Sequence, residues 1–70
     1  MKQFTDEDVT RIIRSKLGFL YSKGYTKYEI SIQLDVSEKT LYKWEHGMIP
    51  KTLYYLNLLR LCEKAWFSKF

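Results

Sequence analysis

The sequence predicts an all-α fold of four helices, with room for a fifth, in which the first and last helices are long. Three observations carry this. Apolar residues recur at the three- and four-residue spacing of a helix face, and no segment alternates apolar and polar as a half-buried strand does. Helix-capping side chains stand just ahead of these segments, at Thr5, Thr26 and Ser37. Residues that tolerate a left-handed backbone follow them, at Gly24, Asp35 and Gly47.

The first helix is expected from about Asp6 to Ser22. Thr5 and Asp8 are spaced as a capping box, and Phe4 and Val9 as a hydrophobic staple. Asp6, Glu7 and Asp8 also suit the positive end of the helix dipole, so this acidic cluster reads as structural. Val9, Ile12, Ile13, Leu17, Leu20 and Tyr21 share one face, with Arg11, Arg14, Ser15 and Lys16 mostly off it. The second helix, from about Lys27 to Leu34, repeats the start. Thr26 and Glu29 form the box, Tyr25 and Ile30 the staple, and Ile30 and Leu34 mark the buried side. Ser37 caps the third helix, Val36 and Leu41 staple it, and Leu41 and Trp44 face inward. Gly47 ends it, and Pro50 prevents easy continuation. The fourth helix starts near Thr52, read as its cap, and runs to Trp66 or beyond within a segment 52–70.

With 70 residues the chain reads as one domain, too small for a deep catalytic cleft beside a separate scaffold. It is 46% hydrophobic and 29% charged, the composition of an ordered chain. The net charge is +4, but the distribution is more telling: from Val9 onward there are eleven Lys or Arg against five Asp or Glu. Such a surface suits a polyanion. The single cysteine, Cys62, excludes an internal disulfide and a multi-cysteine metal site, and fits a reducing cytosol. Met1 to Asp8 is polar and acidic, unlike a signal peptide, and no apolar run is long enough to span a bilayer. A cytoplasmic location with no membrane contact is therefore expected.

Two short helices joined by a turn of about three residues, the second capped by Ser and rich in polar residues, are the parts of a helix-turn-helix. The segment TKYEISIQLDVSEKTLYKWEHG, Thr26 to Gly47, resembles the DNA-binding domain of the lambda-repressor-like (XRE) family. Ile30-Ser31 matches that family's apolar-then-small pair on its second helix. Leu34, Asp35, Val36 and Ser37 match its turn and cap, Leu41 and Trp44 its inward pair, and Glu45-His46-Gly47 with Pro50 its ending. Asp35 stands where the family usually has Gly. The family's late Arg of the first helix falls on Leu20, which leaves Arg14 or Lys16 as the expected partner of Glu45. The stretch YTKYEISIQLDVSEKTLYKW also looks like the helix-turn-helix of phage small terminase subunits and transposases; the Glu45-His46-Gly47 ending favours the repressor-like reading.

The resemblance implies a third helix lying in the major groove of double-stranded DNA, which admits one α-helix. Glu38, Lys39, Tyr42 and Lys43 are the expected base-reading residues: Lys donates to guanine, Glu accepts from cytosine, and Tyr touches sugar or a thymine methyl. Thr26, Lys27, Tyr28, Ser37, His46 and Lys51 are the expected phosphate contacts. Each also has an ordinary reading as cap, packing aromatic or solvated charge. His46 has neither a second His nor a nearby Cys, so no metal or other cofactor is expected.

The last segment carries apolar residues on more than one face. Leu58, Leu61, Cys62, Ala65, Trp66 and Phe67 are expected to contribute to a homodimer contact, unless the first helix covers both faces. Three function classes compete. The first is a sequence-specific DNA binder, as a small transcriptional repressor of phage or bacterial type or as the DNA-binding subunit of a terminase- or transposase-like system. The second is a protein-interaction module, an antirepressor or adaptor, on the same scaffold. A regulatory protein partner fits either. The third, an enzyme, is not expected, because one His, one Cys and no phosphate loop supply no catalytic set.

Overall fold

The computed structural model describes residues 5–67, over which four helices follow in order: α1 (Asp6–Ser22), α2 (Lys27–Leu34), α3 (Glu38–Glu45) and α4 (Thr52–Phe67). The Phe4 half of the first staple and residues 68–70 of the expected last helix lie outside the described residues.

Three helix starts are built by side chains as the sequence predicts. Thr5 Oγ1 accepts from the Asp8 amide at 3.1 Å and the Asp8 carboxylate accepts from the Thr5 amide at 3.1 Å. The Thr5 amide and hydroxyl, with Arg11 beside them, hold the Asp8 carboxyl below its usual range. Thr26 and Glu29 repeat the reciprocal pair at 3.0 and 2.8 Å, and Ser37 Oγ accepts from the Thr40 amide at 3.0 Å.

Three helix ends close alike. A left-handed residue follows each helix: Gly24 (φ 98°), Asp35 (φ 58°) and Gly47 (φ 115°). The next amide then reaches back five residues, from Tyr25 to the Leu20 carbonyl (3.1 Å), Val36 to Ser31 (3.0 Å) and Met48 to Lys43 (2.9 Å). This satisfies carbonyls that the helix itself leaves without donors. The fourth helix differs from expectation at its start. The Tyr55 amide donates to the Lys51 carbonyl at 3.0 Å, so Lys51 holds the cap position and Thr52 is the first helical residue. The Thr52 cap is thereby corrected by one residue.

α1 packs against α3 and α4, and α2 against the same two helices. The core takes Ile13, Leu17 and Leu20 from α1, Ile30 and Leu34 from α2, Leu41 and Trp44 from α3, and Leu58, Leu61, Cys62 and Ala65 from α4. Val9, Tyr25, Val36, Tyr54 and Tyr55 pack around it. Ser31, 4% exposed, is the buried polar residue of α2, and its hydroxyl donates to the Tyr28 carbonyl at 2.6 Å.

The expected dimer contact needs correction. Leu58, Leu61, Cys62 and Ala65 are inside the monomer, at 0%, 6%, 7% and 2% exposure. The reason is that α1 and α2 both pack on α4, so the stripe at 58, 61, 62 and 65 is the helix face that completes the core. Only Trp66 and Phe67 of the expected set are exposed. Cys62 donates its S–H to the Lys16 carbonyl at 3.6 Å, and burial pushes the thiol pKa up.

Candidate nucleic-acid interface

α3 is eight residues long and divides cleanly. Leu41 (0% exposed) and Trp44 (1%) enter the core, where Trp44 lies 6.1 Å from the Tyr54 ring. Glu38, Lys39, Tyr42, Lys43 and His46 are all exposed, and at this spacing they form one continuous outward face. All four expected base-reading residues therefore share a surface. Lys39 and Lys43 make no ion pair among the described residues, which leaves both ammonium groups to solvent.

The turn that sets this face outward is Asp35–Val36–Ser37. Asp35 adopts the left-handed conformation, Val36 packs on the core, and Ser37 caps α3. The Ser37 and Thr40 hydroxyls lie 2.9 Å apart.

The aromatic part of the face is organised. Tyr42 stacks on His46 with centroids 4.1 Å apart, and His46 Nδ1 donates to the Tyr42 carbonyl at 2.8 Å. This directs the second imidazole nitrogen away from the helix. Lys27 Nζ sits 6.0 Å from the centre of the Tyr42 ring, so the phenol is held between a cation and an imidazole.

Lys27 is also the ion partner of Glu45, at 3.9 Å. Of the expected phosphate contacts, Lys27 is thus the one whose charge is matched within the protein. Thr26, Tyr28, Ser37 and Lys51 are exposed. Thr26 and Ser37 use their hydroxyl oxygens as caps; the Thr26 O–H remains a donor for a phosphate oxygen, while the Ser37 hydroxyl also shares a hydrogen bond with that of Thr40. Tyr28 and Ile32, one helical turn apart on α2, are 62% and 61% exposed, off the apolar stripe of Ile30 and Leu34.

Glu45 ties the end of α3 to α1 and α2. Its carboxylate accepts from the Tyr21 hydroxyl at 2.9 Å, and its carbonyl accepts from Arg14 Nε at 2.8 Å. Burial first, and then the Glu45 carboxylate, push the Tyr21 pKa well above the ordinary phenol range. Arg14 therefore does reach Glu45, but through the backbone at the negative end of the α3 dipole, where a guanidinium is favoured. Lys16 lies elsewhere, in the α1–α4 groove. Sequence reasoning missed Tyr21 as the carboxylate partner. The available signal was its place one residue after Leu20, which the resemblance to the lambda-repressor-like family sets against that family's Arg.

Among the described residues no group of three or more His, Cys, Asp or Glu gathers into a metal-holding cluster, and no helix is long and apolar enough to cross a membrane. Residues 13–46, just under half of the chain, match the family described as "Putative ATPase subunit of terminase (gpP-like)". The match begins in α1 and ends at the α3 cap, so it spans the whole α2–turn–α3 unit. No curated protein and no solved structure matches the chain.

Proposed function

We propose that the chain binds double-stranded DNA by laying α3 in the major groove. One observation carries this reading. The outward face of α3 presents Glu38, Lys39, Tyr42 and Lys43 together, while Leu41 and Trp44 on its inner face anchor the helix rigidly in the core. An eight-residue helix with one face exposed fits a groove about 12 Å wide. Lys39 and Lys43 donate to guanine edges or phosphates, and Glu38 accepts from cytosine. Thr26, Tyr28, Ser37, His46 and Lys51 position the helix through the phosphates. Lys27 acts differently, holding Tyr42 and Glu45 in place so that α3 keeps its attitude to α1 and α2.

Two roles use such binding. The match to a terminase family over residues 13–46 favours DNA recognition within a terminase. The Glu45-His46-Gly47 ending favours a small repressor of the lambda-repressor-like kind. In both roles the chain works by binding and not by chemistry: it has one His and one Cys, and no G-x-x-x-x-G-K-[ST] pattern with which to cradle a nucleotide.

Fluorescence anisotropy with random duplex DNA at several salt concentrations tests the proposal. Binding should weaken with salt, with a logarithmic slope of about −0.9 per phosphate neutralised. Lys39→Ala and Lys43→Ala should each weaken binding, and the loss of one phosphate contact should reduce the slope by about 1. Absence of binding at low salt would overturn the reading and turn the search to a protein partner.

A further inference from the structure

α4 uses one face for the core and leaves the opposite face bare. Leu53, Leu56, Arg60, Glu63 and Phe67 are all exposed, with Leu53 at 64%, Leu56 at 48% and Phe67 at 78%. Their spacing alternates three and four residues, 53-56-60-63-67, which is the repeat of a helix that packs along a second helix. The positions opposite Leu58 on the helix are these five, so this second stripe is independent of the core stripe. It borders an open groove of about 650 Å³ between α1 and α4, floored by Phe19, Leu59 and Trp66. The Phe19 and Trp66 rings lie 5.9 Å apart across it.

The charges in the stripe identify its occupant. Arg60 and Glu63 sit at the middle, between apolar Leu56 and Phe67, and neither is in an ion pair among the described residues. Against a second α4 running antiparallel, with the two-fold axis between 61 and 62, Arg60 meets Glu63 of the second copy. Glu63 meets Arg60 in return, and Leu56 meets Phe67 of the second copy on both sides. A parallel pairing would instead set Arg60 against Arg60 and Glu63 against Glu63, which like-charge repulsion disfavours. The stripe is thus self-complementary in one orientation only, as a closed two-fold interface requires.

We infer that two copies of this chain pair through α4 in an antiparallel register, with reciprocal Arg60–Glu63 contacts flanked by Leu56–Phe67 packing. The pairing is independent of DNA binding. It does place two α3 helices under one two-fold axis, the symmetry of a site with mirrored halves.

Sedimentation equilibrium without DNA is the test, with circular dichroism to show that each exposed-site variant keeps its helices. The wild type should reach a mass of two copies and no more. Arg60→Glu and Glu63→Arg should each weaken association about tenfold or more, because each sets like charges face to face. The double exchange, Arg60→Glu with Glu63→Arg, should restore it, since the register is again complementary; Leu56→Lys should abolish it. A wild type that stays monomeric at about 0.5 mM, well above the micromolar range of standard interfaces, overturns the pairing. So do single variants that associate like the wild type, a double exchange that fails to recover, or a mass that climbs past two. A monomer that still binds DNA with a salt slope would overturn the pairing alone, and a dimer that binds no DNA would overturn the DNA reading alone.

Discussion

At the scale of single residues, Glu45 shows how one side chain orients a binding helix. It receives the Tyr21 hydroxyl and the Lys27 ammonium at its carboxylate and the Arg14 guanidinium at its carbonyl, so contacts from α1 and α2 converge at the end of α3. The Tyr21 contact makes stability depend on pH in alkaline solution. Its folded pKa is raised above the ordinary value of 10.0, so the neutral phenol is favoured by folding. That contribution is complete below the unfolded pKa and is lost as pH rises toward the folded one. Urea unfolding at about pH 9 and about pH 11 should therefore show a larger loss for the wild type than for Tyr21→Phe. Parallel losses would mean that Tyr21 ionises as freely in the folded chain as in the unfolded one. Tyr28 and Tyr42, at 62% and 54% exposure against 37% for Tyr21, lie on the side of the proposed DNA contact, although all three are tyrosines within a 22-residue stretch of sequence from 21 to 42.

At the scale of elements, the short α2 and α3 stand because their ends are built. Helices of eight residues are marginal in isolation. Here capping side chains satisfy the starts, and left-handed residues turn the chain at the ends. Asp35 is the non-glycine residue with positive φ among the described residues, and it sits in the turn that aims α3. An L-residue there costs about 1–2 kcal/mol, less for Asp, whose short polar side chain eases the conformation. Asp35→Gly should leave stability unchanged or raise it by up to about 1 kcal/mol. Asp35→Val should lower it by about 1–2 kcal/mol, because a branched β-carbon is poorly tolerated in that region. Thermal unfolding of the two variants beside the wild type checks the order, and a Val variant as stable as the Gly variant would refute it. These element ends were legible in the sequence because capping is local chemistry, complete within five residues. The start of α4 near Thr52 was legible too, but not its cap, since Thr52 is the first helical residue there.

At the scale of the whole molecule, α4 completes a core that the first three helices leave open, and Cys62 reports on that closure. Its thiol is buried and bonded to the Lys16 carbonyl across the α1–α4 contact. Reaction with a thiol reagent should be slow in the native protein and accelerate with denaturant in step with unfolding. Reaction at a free-thiol rate without denaturant would show that α4 detaches from α1 on its own. By itself the sequence determined the four helices, the three built starts, the three left-handed ends and the outward face of α3. It could do so because caps, turns and the helical period depend on neighbours a few residues apart. Tertiary structure alone decided three further things. The stripe Leu58, Leu61, Cys62 and Ala65 went to the core, leaving the stripe from Leu53 to Phe67 outside. Lys27 was drawn to Glu45, and Glu45 found Tyr21. An apolar-rich helix offers two candidate inner faces, and only the helices packed against it select between them. A charge settles on whichever partner the fold brings within reach, and that reach spans 18 positions from Lys27 to Glu45 and 24 from Tyr21 to Glu45, separations over which local sequence rules carry no information.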